Sequence, residues 1–244
     1  MQESELKTSL KQRIFIAVIA ALMLGASVAV YVAIILNGGA SADSSSSIDQ
    51  EKIATLQAEY EEKNAKLEEL SSEFNEKYYE KLSGYRSKVK SFNAKSANES
   101  ETVKTEDLKV GSGKEIKSDT ENYGAYYIGW CSDETVFDSS FDDFEEPTSL
   151  KQPLVVDSES LIEGWYLGVS GMKLGGARII TIPGKLAYGD SQNPCDPESE
   201  EMNVPLKFLI MPFEVTDEYA EVSKEANTAQ MKLLYAQYGL EYTE

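Results

Sequence analysis

The stretch SLIEGWYLGVSGMKLGGARIITIPGKLAYG, residues 160–189, decides the fold of this chain. Its first part, 160–169, carries apolar residues after a serine, and this pattern predicts one short helix. The glycine-rich run 171–176 then predicts a turn into an apolar, β-branched strand at 177–183. The run lacks the Lys-Ser/Thr ending of a phosphate-binding loop, so we interpret it as a turn and not as a nucleotide site.

Further strand signals lie on both sides of this stretch. Residues 124–131 and 206–215 are rich in aromatic and β-branched side chains, which predicts two more strands. Several strands with a single short helix indicate an α+β domain, in which the helix packs on one face of an antiparallel sheet. We predict that this domain covers residues 102–216.

A series of motifs in this region resembles the FKBP family of peptidyl-prolyl cis-trans isomerases. In chain order the motifs are VGSG (110–113), YIGW (127–130), TVFDSS (135–140), IEGW (162–165), GVSGMKLGG (168–176), LAYG (186–189) and LKF (206–208). The resemblance implies an FKBP-like twisted antiparallel β-sheet wrapped around a short α-helix. It also implies an aromatic pocket between helix and sheet that receives a proline ring.

The resemblance assigns roles to eight side chains and implies no metal and no cofactor. Three are expected to be catalytic: Trp165 as the floor under the proline ring, Tyr188 as a hydroxyl donor to a substrate carbonyl, and Asp138 as a polarising group at the rim. The remaining substrate-binding residues that it implies are Tyr127, Phe137, Leu161, Ile162 and Phe208.

These residue types suit the isomerisation of X-Pro bonds. Rotation about an amide faces a barrier of about 18–20 kcal/mol, because resonance gives the C–N bond double-bond character. An apolar, water-poor pocket favours the twisted transition state, which has lost that resonance. The chemistry needs no nucleophile, so it is compatible with a chain that has no histidine. That same absence excludes Ser/His/Asp and Cys/His catalysis.

The chain is strongly acidic, with a formal net charge of −19. Nucleic-acid binding needs clustered Lys and Arg, so we do not expect it. The acidic segment 190–203 departs from the FKBP pattern, because Glu200-Glu201-Met202 stands where the family usually has an Ile-Pro-Pro-like lip. We therefore expect proline-containing polypeptides with basic flanks as clients. A catalytically weak, FKBP-like protein-binding module is the alternative function.

The N-terminal region predicts a membrane anchor. Residues 14–37 carry no charge and are long enough to cross a bilayer as a helix. Lys and Arg occur before this span, in the tail 1–13, whereas the first charged residues after it, in and beyond the linker 38–47, are acidic. This asymmetry predicts a cytoplasmic N-terminus and an extracytoplasmic remainder. The alternative is a signal peptide cleaved after Ala42, which would release the chain from the membrane.

Residues 48–93 predict a helical stalk with a narrow apolar stripe and a stutter around Phe74, Tyr78 and Leu82. The stripe needs a partner, either a second copy of the chain in a homodimer or the C-terminal helix expected at 217–244. The polar segment 94–101 is predicted to be a hinge. The two cysteines, Cys131 and Cys195, are either a disulfide, which an exported domain allows, or two unpaired thiols.

Overall fold

The computed structural model describes residues 49–117, 120, 122–156, 161–191, 193–196 and 198–242. These residues form two compact units, one containing the described chain up to Lys66 and from Lys224 onward, the other Leu67–Ser223. The helices are α1 (Gln50–Ser83), α2 (Ala94–Glu99), α3 (Glu163–Val169) and α4 (Asp217–Gln237), and the strands are β1 (Lys104–Lys109), β2 (Tyr123–Trp130), β3 (Val136–Ser139), β4 (Leu154–Val156), β5 (Ala177–Ile182) and β6 (Leu206–Glu214).

The six strands form one antiparallel sheet in the order β1-β5-β6-β2-β3, and β4 pairs with β2 beside β3. Strand β2 pairs with three other strands, because β6 follows it along its whole length on one edge while β3 and β4 share the other edge. Helix α3 packs against β5. The predicted α+β class with a sheet around a short helix is confirmed.

Side chains of β2 alternate between two buried faces. Tyr123, Ala125 and Tyr127 belong to the apolar core that also contains Trp165 of α3. Tyr126 and Trp130 point to the opposite face of the strand and are at most 1% exposed. The sheet therefore has apolar cover on both sides, and a second element must supply the cover opposite α3.

The second half of α1 supplies that cover. Tyr78 stacks on Phe213 of β6 at 4.3 Å between ring centroids, and Phe74 lies 5.3 Å from the same ring. Leu82 is fully buried. The spacing of four between these α1 residues, predicted as a stutter in a coiled coil, presents one helix face to the sheet. From Leu67 on, the segment predicted as a stalk is thus part of the unit that holds the sheet.

Polar contacts fix this helix on the sheet. The Asn75 amide nitrogen donates to the carbonyl oxygen of Leu150 at 3.0 Å, and its oxygen accepts from the Tyr126 hydroxyl. Beyond the helix, the Trp130 indole donates to the Lys90 carbonyl oxygen at 3.0 Å. Buried polar groups of the sheet are satisfied by this segment, which couples helix position to strand position.

In the other unit, α1 meets the C-terminal helix α4. The Lys63 ammonium lies 2.8 Å from the Glu225 carboxylate, and this contact raises the pKa of Lys63 through a hydrogen bond and charge attraction. On α4, Ala226, Ala229 and Leu233 are buried at helical spacing. The ion pair joins α1 to α4, one of the two partners predicted for the apolar stripe, and cover of the stripe itself by α4 stays a prediction. The homodimer stays a prediction, which sedimentation of the full chain can test.

Two other predicted segments need comment. Residues 94–101, predicted as a hinge, include the helix α2, whose cap Asn93 accepts from the Ser96 N–H at 2.7 Å. Polar side chains in and beside this segment cap the helix and make tertiary hydrogen bonds, so the polar pattern predicted as a hinge contains a helix. The predicted tail, membrane span and linker, 1–47, lie outside the described residues. No helix within the described ranges is long and apolar enough to cross a bilayer.

Candidate functional site: an aromatic pocket beside a buried carboxylate

Four aromatic rings from four elements meet between α3 and the sheet. Trp165 of α3 lies 5.6 Å from Tyr127 of β2 and 5.5 Å from Phe208 of β6, with interplanar angles of 86° and 74°. Phe137 of β3 meets Phe208 at 5.5 Å and 90°. Edge-to-face contacts of this kind are a favoured geometry for aromatic pairs. The result is an aromatic cluster with Trp165 at its base.

Trp165 is held from behind by a hydrogen bond. Its indole nitrogen donates to the hydroxyl oxygen of Tyr123 at 3.3 Å, within the buried core. Burial raises the pKa of Tyr123 to about 12, although the indole donor opposes that rise. Because this partner is on the core side, the orientation of the Trp165 ring is set by the fold itself.

Gly129 makes room for the cluster, and the sequence analysis did not single it out as a site residue. It pairs with Phe208 across β2 and β6 and with Asp138 across β2 and β3. A Cβ atom at this position would lie 2.8 Å from Phe137 Cζ and 2.8 Å from Phe208 Cε1. Any side chain here would displace both rings. Its place in the YIGW motif was the available signal.

Asp138 is the charged group of the site and is only 6% exposed. Its Oδ2 accepts a hydrogen bond of 2.5 Å from the Tyr127 hydroxyl. Its Oδ1 has no hydrogen-bond partner within the described part of the chain. Burial raises the pKa of Asp138 to about 6, against the opposing effects of the Tyr127 hydroxyl and the Lys151 ammonium. A buried carboxylate oxygen of this kind can accept a hydrogen bond from a ligand.

Tyr188 lies against the same cluster, after the 3₁₀ turn Gly184–Leu186. Burial, with a smaller effect of the Asp138 charge, raises its pKa, so the hydroxyl stays protonated at neutral pH and can donate. Leu161 and Ile162 pack against the cluster at the start of α3. The Leu161 N–H donates to the Tyr166 hydroxyl oxygen at 3.0 Å, which fixes this entry segment.

The structure thus brings all eight predicted site residues together. Seven belong to or pack against one apolar core, and Asp138 joins them through Tyr127. Their individual roles in binding and catalysis stay predictions. Lys151 was not predicted as a site residue, although its ammonium donates to the Ser139 carbonyl oxygen at 3.0 Å and its charge acts on Asp138. It lies in an irregular loop, where no periodic pattern marks it.

Comparisons with known proteins found similarity to one family. A family model described as FKBP-type peptidyl-prolyl cis-trans isomerase matches residues 113–210. The FK506-binding protein of Neisseria meningitidis serogroup B is 41% identical over 86 residues, which cover 34% of this chain and 72% of that protein. FK506-binding protein 4 of Rhizopus delemar is 36% identical over 107 residues, 43% of this chain and 26% of the relative. A crystal structure of AtFKBP13 is 30% identical, covering 47% of this chain and 93% of that one, with a TM-score of 0.36.

The chain belongs to the FKBP-type peptidyl-prolyl cis-trans isomerase family. The enzyme class predicted from the sequence is thereby confirmed at the level of the family. The chain spans only about a quarter of the length of the Rhizopus relative that it matches, at 26%. Activity, substrates and partners of the whole protein therefore belong to the proposals.

The raised pKa of Asp138 predicts an unusual dependence of stability on pH. The folded protein holds this proton up to about pH 6, whereas the group's ordinary pKa is 3.8. Its stabilising contribution is therefore complete below pH 4 and is lost as the pH rises through 6. We expect the Asp138→Asn variant to gain up to about 3 kcal/mol relative to wild type between pH 4 and pH 7.5. Urea unfolding at four pH values measures this difference.

Asp142→Asn is the control for that measurement. Burial acts to raise the pKa of Asp142, but hydrogen bonds from Thr148 and Ser149 outweigh it and the pKa is lowered. The difference between this variant and wild type should change with pH in the opposite direction, and only in the acid range. If the Asp138→Asn and wild-type curves run parallel, the carboxylate is solvated and the description of the buried site is wrong.

Proposed function

We propose that the chain catalyses cis-trans isomerisation of X-Pro bonds in polypeptides. One observation carries the proposal: an aromatic cluster based on Trp165 adjoins a buried carboxylate, Asp138, that has an oxygen with no hydrogen-bond partner among the described residues. A proline ring is apolar and compact, so it fits an aromatic pocket. The amide next to the ring is polar, and its charge distribution changes as it rotates. The Tyr188 hydroxyl and the Asp138 carboxylate are polar groups beside it that can interact with this amide.

The proposed mechanism is non-covalent. Planar and twisted amides differ in resonance, and a water-poor aromatic pocket favours the twisted form. Trp165 and Phe208 hold the ring still while the preceding carbonyl swings. The Tyr188 hydroxyl, which stays protonated, donates to a substrate carbonyl. Asp138 Oδ1 acts as a polarising group at the rim of the aromatic pocket. No bond of the substrate is broken, so the site needs no proton relay.

The test is a protease-free isomerase assay on the full chain. Exchange between cis and trans forms of a short X-Pro peptide is followed by NMR, and uncatalysed exchange takes tens to hundreds of seconds. Catalysis at micromolar protein supports the proposal. A folded chain that binds the peptide without speeding exchange would overturn it in favour of the alternative, a catalytically weak binding module.

We also propose that the domain works outside the cytoplasm on exported proteins, held to the membrane by the predicted span 14–37. The Cys131–Cys195 disulfide supports this location, because such bonds persist in oxidising compartments. Sequencing the N-terminus of the mature protein separates the two predicted forms. An intact N-terminus fits a retained anchor, whereas a start at Asp43 fits release after cleavage following Ala42.

The loop after Tyr188 predicts a charge preference among substrates. Five exposed carboxylates lie on it, namely Asp190, Asp196, Glu198, Glu200 and Glu201. The disulfide at Cys195 fixes this loop to the end of β2, so its charge stays near the pocket. We expect kcat/KM for Lys-flanked X-Pro peptides to exceed that for Glu-flanked ones by about tenfold at low salt. The ratio should shrink in 0.5 M salt, because the distance over which exposed charges interact is then below about 10 Å.

The matched control for this prediction is a Glu198→Gln/Glu200→Gln/Glu201→Gln variant. It keeps the size of the side chains and removes three charges, so the peptide preference should weaken while turnover of an uncharged peptide stays unchanged. Equal rates for Lys- and Glu-flanked peptides with the wild-type chain would refute the role of the loop charge. They would leave the isomerase proposal intact.

A further inference from the structure

Asn98 of α2 connects two loops that flank the pocket. Its Oδ1 accepts from the Gly184 N–H at 2.8 Å, and its Nδ2 donates to the Asn203 carbonyl oxygen at 2.9 Å. Gly184 opens the 3₁₀ turn that precedes Tyr188. Asn203 ends the acidic loop just before β6. A single side-chain amide therefore contacts the segments on both sides of Tyr188.

The two segments are also bonded to each other. The Asn203 N–H donates to the Gly189 carbonyl oxygen at 2.8 Å, and the Gly189 N–H donates to the Gly184 carbonyl oxygen at 3.0 Å. Together with the two bonds of Asn98, these close a ring of hydrogen bonds around the turn that carries Tyr188. A Cβ on Gly184 would lie 1.8 Å from the Asn203 carbonyl oxygen, so the two backbones touch without room for a side chain.

A side-chain amide suits both contacts at once. The position needs one acceptor for Gly184 and one donor for Asn203, and an amide has both on a single planar group. A carboxylate would place an acceptor against the Asn203 carbonyl, and alanine would leave both backbone groups without this partner. Asn98 also lies outside the residues 113–210 that match the family model. The ring is thus completed by a residue that precedes the matched region.

We propose that Asn98 is a positioning residue for the isomerase site, which holds Tyr188 at the pocket by fixing both ends of its loop. The inference rests on the proposed function, because Tyr188 matters only if its hydroxyl binds the substrate carbonyl. Asn98 acts through the backbone of Gly184, Gly189 and Asn203 and does not touch the substrate. When the ring opens, the Tyr188 hydroxyl loses its fixed distance from the pocket.

The experiment is a double-mutant cycle in the full chain. Tyr188→Phe and Asn98→Ala are each expected to lower kcat/KM for an X-Pro peptide by about tenfold. The double variant should be no worse than Tyr188→Phe alone, because Asn98 would have nothing left to position. Additive losses would overturn the proposal, since they would mean that Asn98 acts on something other than Tyr188.

Two further measurements separate positioning from stability. Asn93→Ala removes the cap of the same helix and lowers its stability, while it keeps the Asn98 amide, and it should retain wild-type kcat/KM. Amide hydrogen exchange should accelerate at Gly184 and Asn203 in Asn98→Ala but not in Asn93→Ala. If both variants lose activity equally, α2 serves stability alone and the inference fails. If the wild type has no activity while Asn98→Ala shows the faster exchange, the proposed function is wrong, but the hydrogen-bonded ring around Tyr188 is still supported.

Discussion

Replacing Trp165 by leucine should lower kcat/KM for an X-Pro peptide by about 100-fold, which corresponds to about 2.7 kcal/mol of transition-state stabilisation. The indole is the base of the aromatic cluster and contacts both Tyr127 and Phe208. Leucine keeps the site apolar but removes the flat surface under the proline ring and the bond to Tyr123. The ring would then bind in several orientations, and few of them allow the preceding amide to twist.

The chain contains its own matched control for this substitution. Trp130 is the only other tryptophan and is equally buried, at 1% exposure against 2% for Trp165. It lies on the opposite face of the sheet, where its indole donates to Lys90. Either leucine variant should lower the free energy of unfolding by several kcal/mol, at most about 5. Only the Trp165 variant should lose the activity of its folded fraction.

Fluorescence gives a second measurement of the same prediction. In a Trp130→Phe variant all tryptophan emission comes from Trp165, so binding of a proline peptide should change it. In a Trp165→Phe variant the emission comes from Trp130 behind the sheet and should not respond. If both leucine variants lose activity to the same extent per folded molecule, Trp165 contributes only to the core and the pocket lies elsewhere.

The motifs predicted the site residues through their resemblance to the FKBP family. Trp165, Asp138 and Tyr188 were assigned in this way, and the structure places them around one cluster. Strand β1 was not predicted as a strand, because its residues KTEDLK show no apolar alternation. Among the described residues it is an edge strand that pairs with β5 alone, and exposed edges favour charged side chains.

The partner of the α1 stripe could not be read from the sequence. Apolar spacing showed that Phe74, Tyr78 and Leu82 share a helix face, and such a face fits a coiled coil or a sheet equally well. The partner of this helix face is determined by β2 and β6, where Tyr126 and Phe213 point away from α3 and are buried by another element. The role of Asn98 was not predicted from the sequence for a related reason, since both of its hydrogen bonds go to backbone groups more than 80 residues away.

Removal of the disulfide is the change with the largest expected effect on stability. Cys131 follows β2 directly and Cys195 lies in the acidic loop, 64 residues further along the chain. The sequence left the pairing open, and the structure shows the bond. In the chain-entropy model, a cross-link over a loop of this length lowers the free energy of the folded state relative to the unfolded one by about 4 kcal/mol. We expect the Cys131→Ala/Cys195→Ala variant to lose about that much in urea unfolding.

Reduction of the wild-type chain is the control for this variant. Dithiothreitol should lower the unfolding midpoint of the wild type to that of the double variant and leave the double variant unchanged. The loss should appear as a shift of the midpoint because the linked loop, which contains Asp138 and Trp165, closes at a higher entropy cost without the bond. The folded fraction should keep its isomerase activity, since neither sulfur belongs to the aromatic cluster. A wild type that is indifferent to reductant would mean that the two thiols do not pair, and the disulfide's support for an exported domain would then be lost.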